Sequence, residues 1–114
     1  MTLTGYQKGL WAELKAKIYM RLKGYRILAE RFKTPVGEID LIVKRGNAVA
    51  FVEVKLRGTA EAAAESIHAK NQSRVRRAAE LYLQKHPEYT GYELRFDALV
   101  MASGAWPQHI PNAF

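Results

Sequence analysis

A chain of 114 residues, 48% of them hydrophobic, is long enough to close one core, so a single domain over residues 1–114 is expected. It has no cysteine, which excludes disulfides and every thiolate-held zinc or iron–sulfur centre, and its three histidines are scattered, so a metal would sit on oxygen ligands. Eighteen Lys and Arg against eleven Asp and Glu give a formal charge of +7, which suits a polyanionic partner but is also found in basic proteins that bind no nucleic acid.

No apolar run approaches the roughly 18 residues of a membrane span, and the polar start MTLTGYQKGLWAELKAK lacks a signal-peptide core. A cytoplasmic protein without a membrane partner is therefore expected. From about Leu3 to Lys23 proline is absent, and Leu10, Trp11, Leu14, Ile18 and Leu22 fall within about a third of the helical wheel, predicting a first helix with this set as its apolar face. Gly24 reads as its stop, YRILAERF as a strand and KTPVG as a turn. Two further strands flank KRGN, completing an antiparallel meander of three.

RGTAEAAAES is a loop before a second helix, from about Ala69 to Lys85, whose buried stripe is Val75, Ala78, Ala79 and Tyr82 and which ends at HPEYTG. YELRFDALVM is a fourth strand, with Leu94, Phe96, Ala98 and Val100 on one face and Arg95, Asp97 and Leu99 on the other. It can join the sheet in parallel through the helix crossover. The tail ASGAWPQHIPNAF, with two prolines, reads as irregular yet apolar enough to pack. His68, His86 and His109 read as loop or surface residues, and Trp11, Tyr19, Tyr25 and Tyr82 as core.

The chemistry is concentrated in GEIDLIVKRGNAVAFVEVKLR, Gly37 to Arg57. With Gly46-Asn47 as a two-residue loop, Arg45 faces Ala48, Ile42 faces Phe51, Asp40 faces Glu53 and Glu38 faces Lys55, which puts all four hairpin charges on one face. Directly opposed residues lie about 5 Å apart, so Asp40 and Glu53 form a like-charge pair that Lys55 or a cation must offset. Such a pair suits Mg²⁺, a hard ion bound by one or two carboxylates and water, and with Lys55 alongside it suits phosphodiester hydrolysis. A salt-bridge ladder, worth at most about 1 kcal/mol, is the competing explanation. The other hairpin face, Ile39, Leu41 and Val43 against Ala50, Val52 and Val54, reads as core. Ile42, Val49 and Phe51 imply that the charged side is partly covered as well, leaving a cleft near the strand ends.

GEIDLI followed after a hairpin by FVEVK resembles the core of the PD-(D/E)xK nuclease superfamily, the fold of many restriction endonucleases and archaeal Holliday-junction resolvases. More closely, the chain resembles the YraN-like family of small bacterial proteins. GLWAE, GYRIL, GEIDLI, FVEVKLR, Lys70, Arg74, RFDALVM and the closing IPNAF carry that likeness in order over nearly the whole chain. The resemblance implies that Asp40 and Glu53 are metal ligands, that the main-chain carbonyl of Val54 is a further ligand, and that Lys55 is the catalytic lysine. It also implies that Glu13 helps complete the site; taken alone, Glu13 would pair with Lys17 four residues on. Ile39 stands where the superfamily's eponymous proline would be.

On the second helix Lys70, Arg74 and Arg77 fall within about 60° of one another and form a basic ridge suited to a phosphate backbone, or simply a solvated face. Lys70 can also stand behind the metal site, and Arg57 can reach the same phosphates. Arg95 and Asp97 are expected to be structural. The sum is an α/β domain of restriction-endonuclease-like type, a three-layer core with a mixed sheet of about four to five strands flanked by helices. The expected activity is that of a Mg²⁺- or Mn²⁺-dependent DNA endonuclease of repair or recombination. It would be selective for branched or damaged DNA, since a three-charge ridge leaves little surface for base readout. The alternatives are a non-catalytic nucleic-acid-binding module and an accessory protein of a repair or transformation assembly; cutting a junction twice would call for a homodimer.

Overall fold

The computed structural model describes residues 5–57, 69–102 and 106–114, with side chains placed for all of these except 5–8, 57, 69–71 and 102. In chain order the elements are α1 (Gly5–Leu22), β1 (Arg26–Thr34), β2 (Gly37–Arg45), β3 (Ala48–Arg57), α2 (Ala69–Lys85), a single 3₁₀ turn (Pro87–Tyr89), β4 (Glu93–Ala102) and β5 (Gln108–Ile110). The sheet runs in the order β1-β2-β3-β4-β5. Only β3 and β4 are parallel, joined across the α2 crossover; the remaining neighbours are antiparallel. The mixed α/β architecture expected from the sequence is therefore the one observed.

Local chemistry sets the element ends. Gly24 at φ 90° closes α1, and the Tyr25 N–H reaches back to the Met20 carbonyl at 3.0 Å, the bond that satisfies an orphan carbonyl at a helix end. Thr34 Oγ1 accepts from the N–H groups of Val36 and Gly37 and donates to the Gly37 carbonyl, holding the β1–β2 turn. Gly46 takes φ 59° at the first central position of the β2–β3 hairpin, and Arg45 pairs with Ala48 as the two-residue loop requires.

Two apolar layers sandwich the sheet. On one face Ala12, Ala16 and Met20 of α1 lie over Leu41, Val43, Ala50, Val52 and Leu99; on the other, Val75, Ala78, Ala79 and Tyr82 of α2 lie over Ile39, Ile42, Val49 and Phe51. Phe51 is wholly buried, a burial worth about 2–3 kcal/mol. The backbones of α2 and β2 touch: a Cβ at Gly37 would sit 2.6 Å from the Arg74 carbonyl oxygen, so this crossing admits only glycine without a shift.

Three expectations need correction. The apolar set that marks α1 is not its inward face: Leu10, Trp11, Leu14, Ile18 and Leu22 are exposed, Trp11 by 50% and Leu22 by 78%. Small side chains on the opposite side let the helix sit close to the sheet instead. The tail is not wholly irregular, for Gln108–Ile110 adds a fifth strand on β4, and Phe114 packs against Phe96. Finally, Ile39 joins the α2 layer rather than the face of Leu41 and Val43, because side-chain alternation along β2 breaks at Asp40.

Candidate metal site and nucleic-acid face

The β2–β3 ladder stops at the Leu41–Val52 pair. One residue further out the strands part, and the carboxylate of Asp40 takes over, its Oδ2 accepting the Val54 N–H at 2.8 Å. Across β1, Arg31 lies between the Glu30–Leu41 and Phe32–Ile39 pairs and holds φ 47°, a left-handed conformation uncommon for a side chain of this size. Such strain persists only where its surroundings enforce it. The Arg31 guanidinium reaches α1 and clamps Glu13, with Nε 2.9 Å from both carboxylate oxygens and a terminal nitrogen 2.6 Å from Oε2.

These elements enclose a small open pocket of about 120 Å³ lined by Gly9, Ala12, Glu13, Asp40, Val54 and Leu56. Burial pushes the Asp40 carboxyl up to about 6, and the nearby charges of Glu53, Glu38 and Glu13 add to that rise against the opposing Val54 hydrogen bond. Glu53 is nearly buried, and its Oε1 lies 2.8 Å from Lys55 Nζ. Its Oε2 is buried with no hydrogen-bond partner, an arrangement that costs about 1–3 kcal/mol when nothing fills the gap. Among the described residues no three His, Asp or Glu side chains converge, so an ion here would take the two carboxylates plus main-chain and water oxygens. That donor set is one a hard divalent cation accepts.

Asp40, Glu13 and Val54 thus meet at this pocket; Glu53 lies near enough to raise the Asp40 carboxyl and Lys55 pairs with Glu53, but neither of these two lines the pocket. Glu38 does not pair with Lys55: it is exposed, sits beside Lys33 in the β1–β2 register, and Lys55 turns to Glu53 instead. The four hairpin charges do not share one face in a continuous ladder, because the pairing that would align them ends at Leu41. Glu13 pairs with Arg31 rather than with Lys17, which bonds Glu30 at 2.6 Å. Arg74 and Arg77 are exposed on α2, while the side chains of Lys70 and Arg57 lie outside the described residues, as does His68. Arg76, absent from the predicted ridge, stacks its guanidinium 4.3 Å from the centroid of the Phe96 ring.

A second polar cluster was not legible as such. Asp97 is completely buried on β4 and accepts from Arg95, from His109 Nε2 at 2.7 Å and from the Asn112 N–H at 3.0 Å. Burial alone would raise its carboxyl, but these hydrogen bonds outweigh burial and hold it below the usual carboxylate range. His109, expected at the surface, is buried on β5, and its Nδ1 accepts from Lys23 at 2.6 Å. Arg95 also donates to the Tyr25 hydroxyl, in keeping with a structural role. The usable signal was Asp97 itself, an acid among the apolar residues of a strand, which needs partners wherever it is buried.

The family model for "Uncharacterised protein family UPF0102" matches residues 12–101, a span that contains every residue of the pocket except Gly9. A UPF0102 protein of Methylorubrum extorquens is 53% identical over 94% of this chain and 84% of its own. Those of Rhodopseudomonas palustris and Parvibaculum lavamentivorans are 49% and 47% identical, each over 98% of this chain and 86% and 84% of their own. On both grounds the chain belongs to the UPF0102 family.

Proposed function

We propose that the chain is a divalent-metal-dependent DNA endonuclease of the PD-(D/E)xK type, with Asp40 and Glu53 as its metal-holding pair. The observation that carries this is the unpartnered, buried Oε2 of Glu53 close to a carboxyl raised to about 6. Two acids held this near each other in a partly buried site destabilise the fold unless a cation joins them. Asp40, Glu53 and the main-chain carbonyl of Val54 would hold Mg²⁺ or Mn²⁺. The bound ion would supply Lewis acidity toward a phosphate and a more acidic water.

The chain's own residues do the rest. Lys55 neutralises Glu53 in the free protein and stands beside it to offset charge on a phosphodiester. Glu13, fixed by Arg31, completes the pocket wall. Arg74 and Arg77, with Lys70 and Arg57, would grip the backbone; these charges position a duplex without reading bases, which favours selection by DNA structure, as at branched or damaged sites. A non-catalytic nucleic-acid-binding module is the second possibility, favoured by the Lys55–Glu53 and Arg31–Glu13 ion pairs, which already offset part of the acidic charge.

The test is incubation with four-way junction, flap, single-stranded and linear duplex DNA in Mg²⁺, Mn²⁺ or EDTA, beside Asp40→Asn and Lys55→Ala variants. Metal-dependent cutting lost in both variants is expected. Absence of cutting on every substrate, with DNA binding intact and indifferent to EDTA, would replace the nuclease by the binding module.

A further inference from the structure

We propose that Lys23 is an activated amine, a site at which a small carbonyl compound carrying a phosphate or carboxylate forms a Schiff base. The inference is independent of the nuclease proposal and uses the other end of α1. Lys23 follows the last residue of that helix, and its Nζ lies 2.6 Å from Nδ1 of His109 on β5. The opposite ring nitrogen, Nε2, lies 2.7 Å from Oδ2 of Asp97 on β4. Asp97 accepts and Lys23 donates, so one tautomer of the ring satisfies both: Nε2 carries the proton and Nδ1 is a base. An amine within hydrogen-bond reach of a base that a third group orients has the arrangement of an activated nucleophile. The imidazole is 2% exposed and the carboxylate fully buried, whereas Lys23 is half-buried and reached from solvent.

The charges around this amine set it apart from other paired lysines. Lys17 and Lys55 face the carboxylates of Glu30 and Glu53, partners that favour the charged ammonium. Lys23 faces an imidazole, stands near the guanidiniums of Arg45 on β2 and Arg95 on β4, and has the Tyr19 ring centroid 5.4 Å from its Nζ. Burial first, and then the Arg45 charge, lower the pKa of Lys23; Arg95 adds to this, and Asp97 is the acid that opposes it. The two guanidiniums also flank one ring, with Arg45 Cζ 4.5 Å and Arg95 Cζ 5.7 Å from the centroid of Tyr25, which meets His109 edge to face at 6.0 Å. Arg45 is exposed and gives one N–H to the Lys23 carbonyl at 3.0 Å, which leaves the rest of its fork to an anion beside the amine. Lys23, Arg45 and Arg95 against Asp97 leave a surplus of positive charge that a phosphate or carboxylate offsets.

The step balances on these groups. His109 Nδ1 takes one proton from the Lys23 ammonium, and Asp97 holds the resulting imidazolium. The amine nitrogen adds to the carbonyl carbon as the C=O π pair moves to oxygen, and a second proton passes from nitrogen to that oxygen. His109 then returns its proton to the hydroxyl, water leaves, and the nitrogen lone pair closes the C=N bond. One ammonium and one carbonyl become one iminium and one water.

Pyridoxal 5′-phosphate and pyridoxal, used as probes with and without the anion, test this on the full chain after borohydride reduction and peptide mass mapping. At pH 7 Lys23 should be labelled at least about tenfold faster than exposed Lys15 and Lys33, and its labelling should persist to lower pH than theirs. The phosphate probe should outpace pyridoxal at Lys23, and Arg45→Gln should remove that preference. His109→Gln should slow labelling of Lys23 by about tenfold or more, since a positioned base is worth roughly 10²–10⁴. Selectivity within the wild type decides the matter even if the His109 variant misfolds. Lys23 labelled no faster than Lys15 and Lys33 would overturn the proposal and leave it a helix-end cation, as would a rate unmoved by His109→Gln in a folded variant. Equal rates for the two probes would overturn the part played by the anion.

Discussion

Replacing Asp40 by Asn should make the metal-free protein more stable at neutral pH. The Asp40 carboxyl rises from an ordinary 3.8 to about 6 on folding. The folded state therefore keeps a proton that the unfolded chain releases, and wild-type stability falls as pH rises through that window. A shift of about two units corresponds to about 3 kcal/mol, fully expressed above pH 6 and absent below the ordinary carboxylate value. Asn keeps an oxygen to accept the Val54 N–H but gives up the carboxylate's stronger bond. The net gain should be about 1–2 kcal/mol, or roughly 4–8 °C in Tm for a domain of this size. Thermal melts of both proteins in EDTA from pH 3.5 to 7.5 should show a gap that opens between pH 4 and 6. Added Mg²⁺ should then stabilise the wild type alone and narrow the gap. An Asn variant that is less stable at pH 7 in EDTA, or a gap that does not change with pH, would refute the electrostatic account of this site.

Gly37→Ala should cost about 1–3 kcal/mol in urea melts, because the new methyl meets the Arg74 carbonyl oxygen and either α2 or β2 must move. Asp97→Ala should destabilise by about 3–5 kcal/mol, since Arg95 and His109 lose their buried acceptor. Because folding lowers the Asp97 carboxyl, its contribution is present above the ordinary carboxylate range and lost as pH falls through the folded value. Acid titration of the wild type against Asp97→Asn should show that loss in the wild type only. Arg74→Ala/Arg77→Ala should weaken DNA binding alike for all sequences and make log K less steep in log salt by about two, read from fluorescence anisotropy at several salt concentrations.

The hairpin was legible because its turn and its alternation agree: Gly46-Asn47 fixes the register and Ile42 meets Phe51 as expected. Asp40 and Glu53 stood out in the sequence as a candidate pair because two carboxylates on apolar strands demand an explanation. The inward face of α1 was not. Periodicity reveals that a helix is amphipathic, yet Leu and Trp outrank Ala on any hydrophobicity scale, so the bulky stripe hid an alanine face chosen for closeness to the sheet. Ile39 was assigned to the wrong layer because alternation was carried past Asp40, where the strand departs from a regular pleat beside a left-handed Arg31. His109 was misplaced for a longer-range reason: its partners Asp97 and Lys23 lie 12 and 86 positions away, and no local pattern joins them.

The close approach of Gly37 to Arg74 has a mechanical consequence. Asp40 lies three residues along β2 from Gly37, and Arg77 one helical turn along α2 from Arg74. The acidic pair and the arginine ridge are thus pegged to each other through main chain rather than through side chains that can change rotamer. If the ridge rides on the phosphate backbone, the peg acts as a ruler: it sets how many nucleotides separate the gripped phosphates from the bond presented to the acids. A substitution that pries the two backbones apart would move the position of a cut along the strand before it altered how tightly the strand is held.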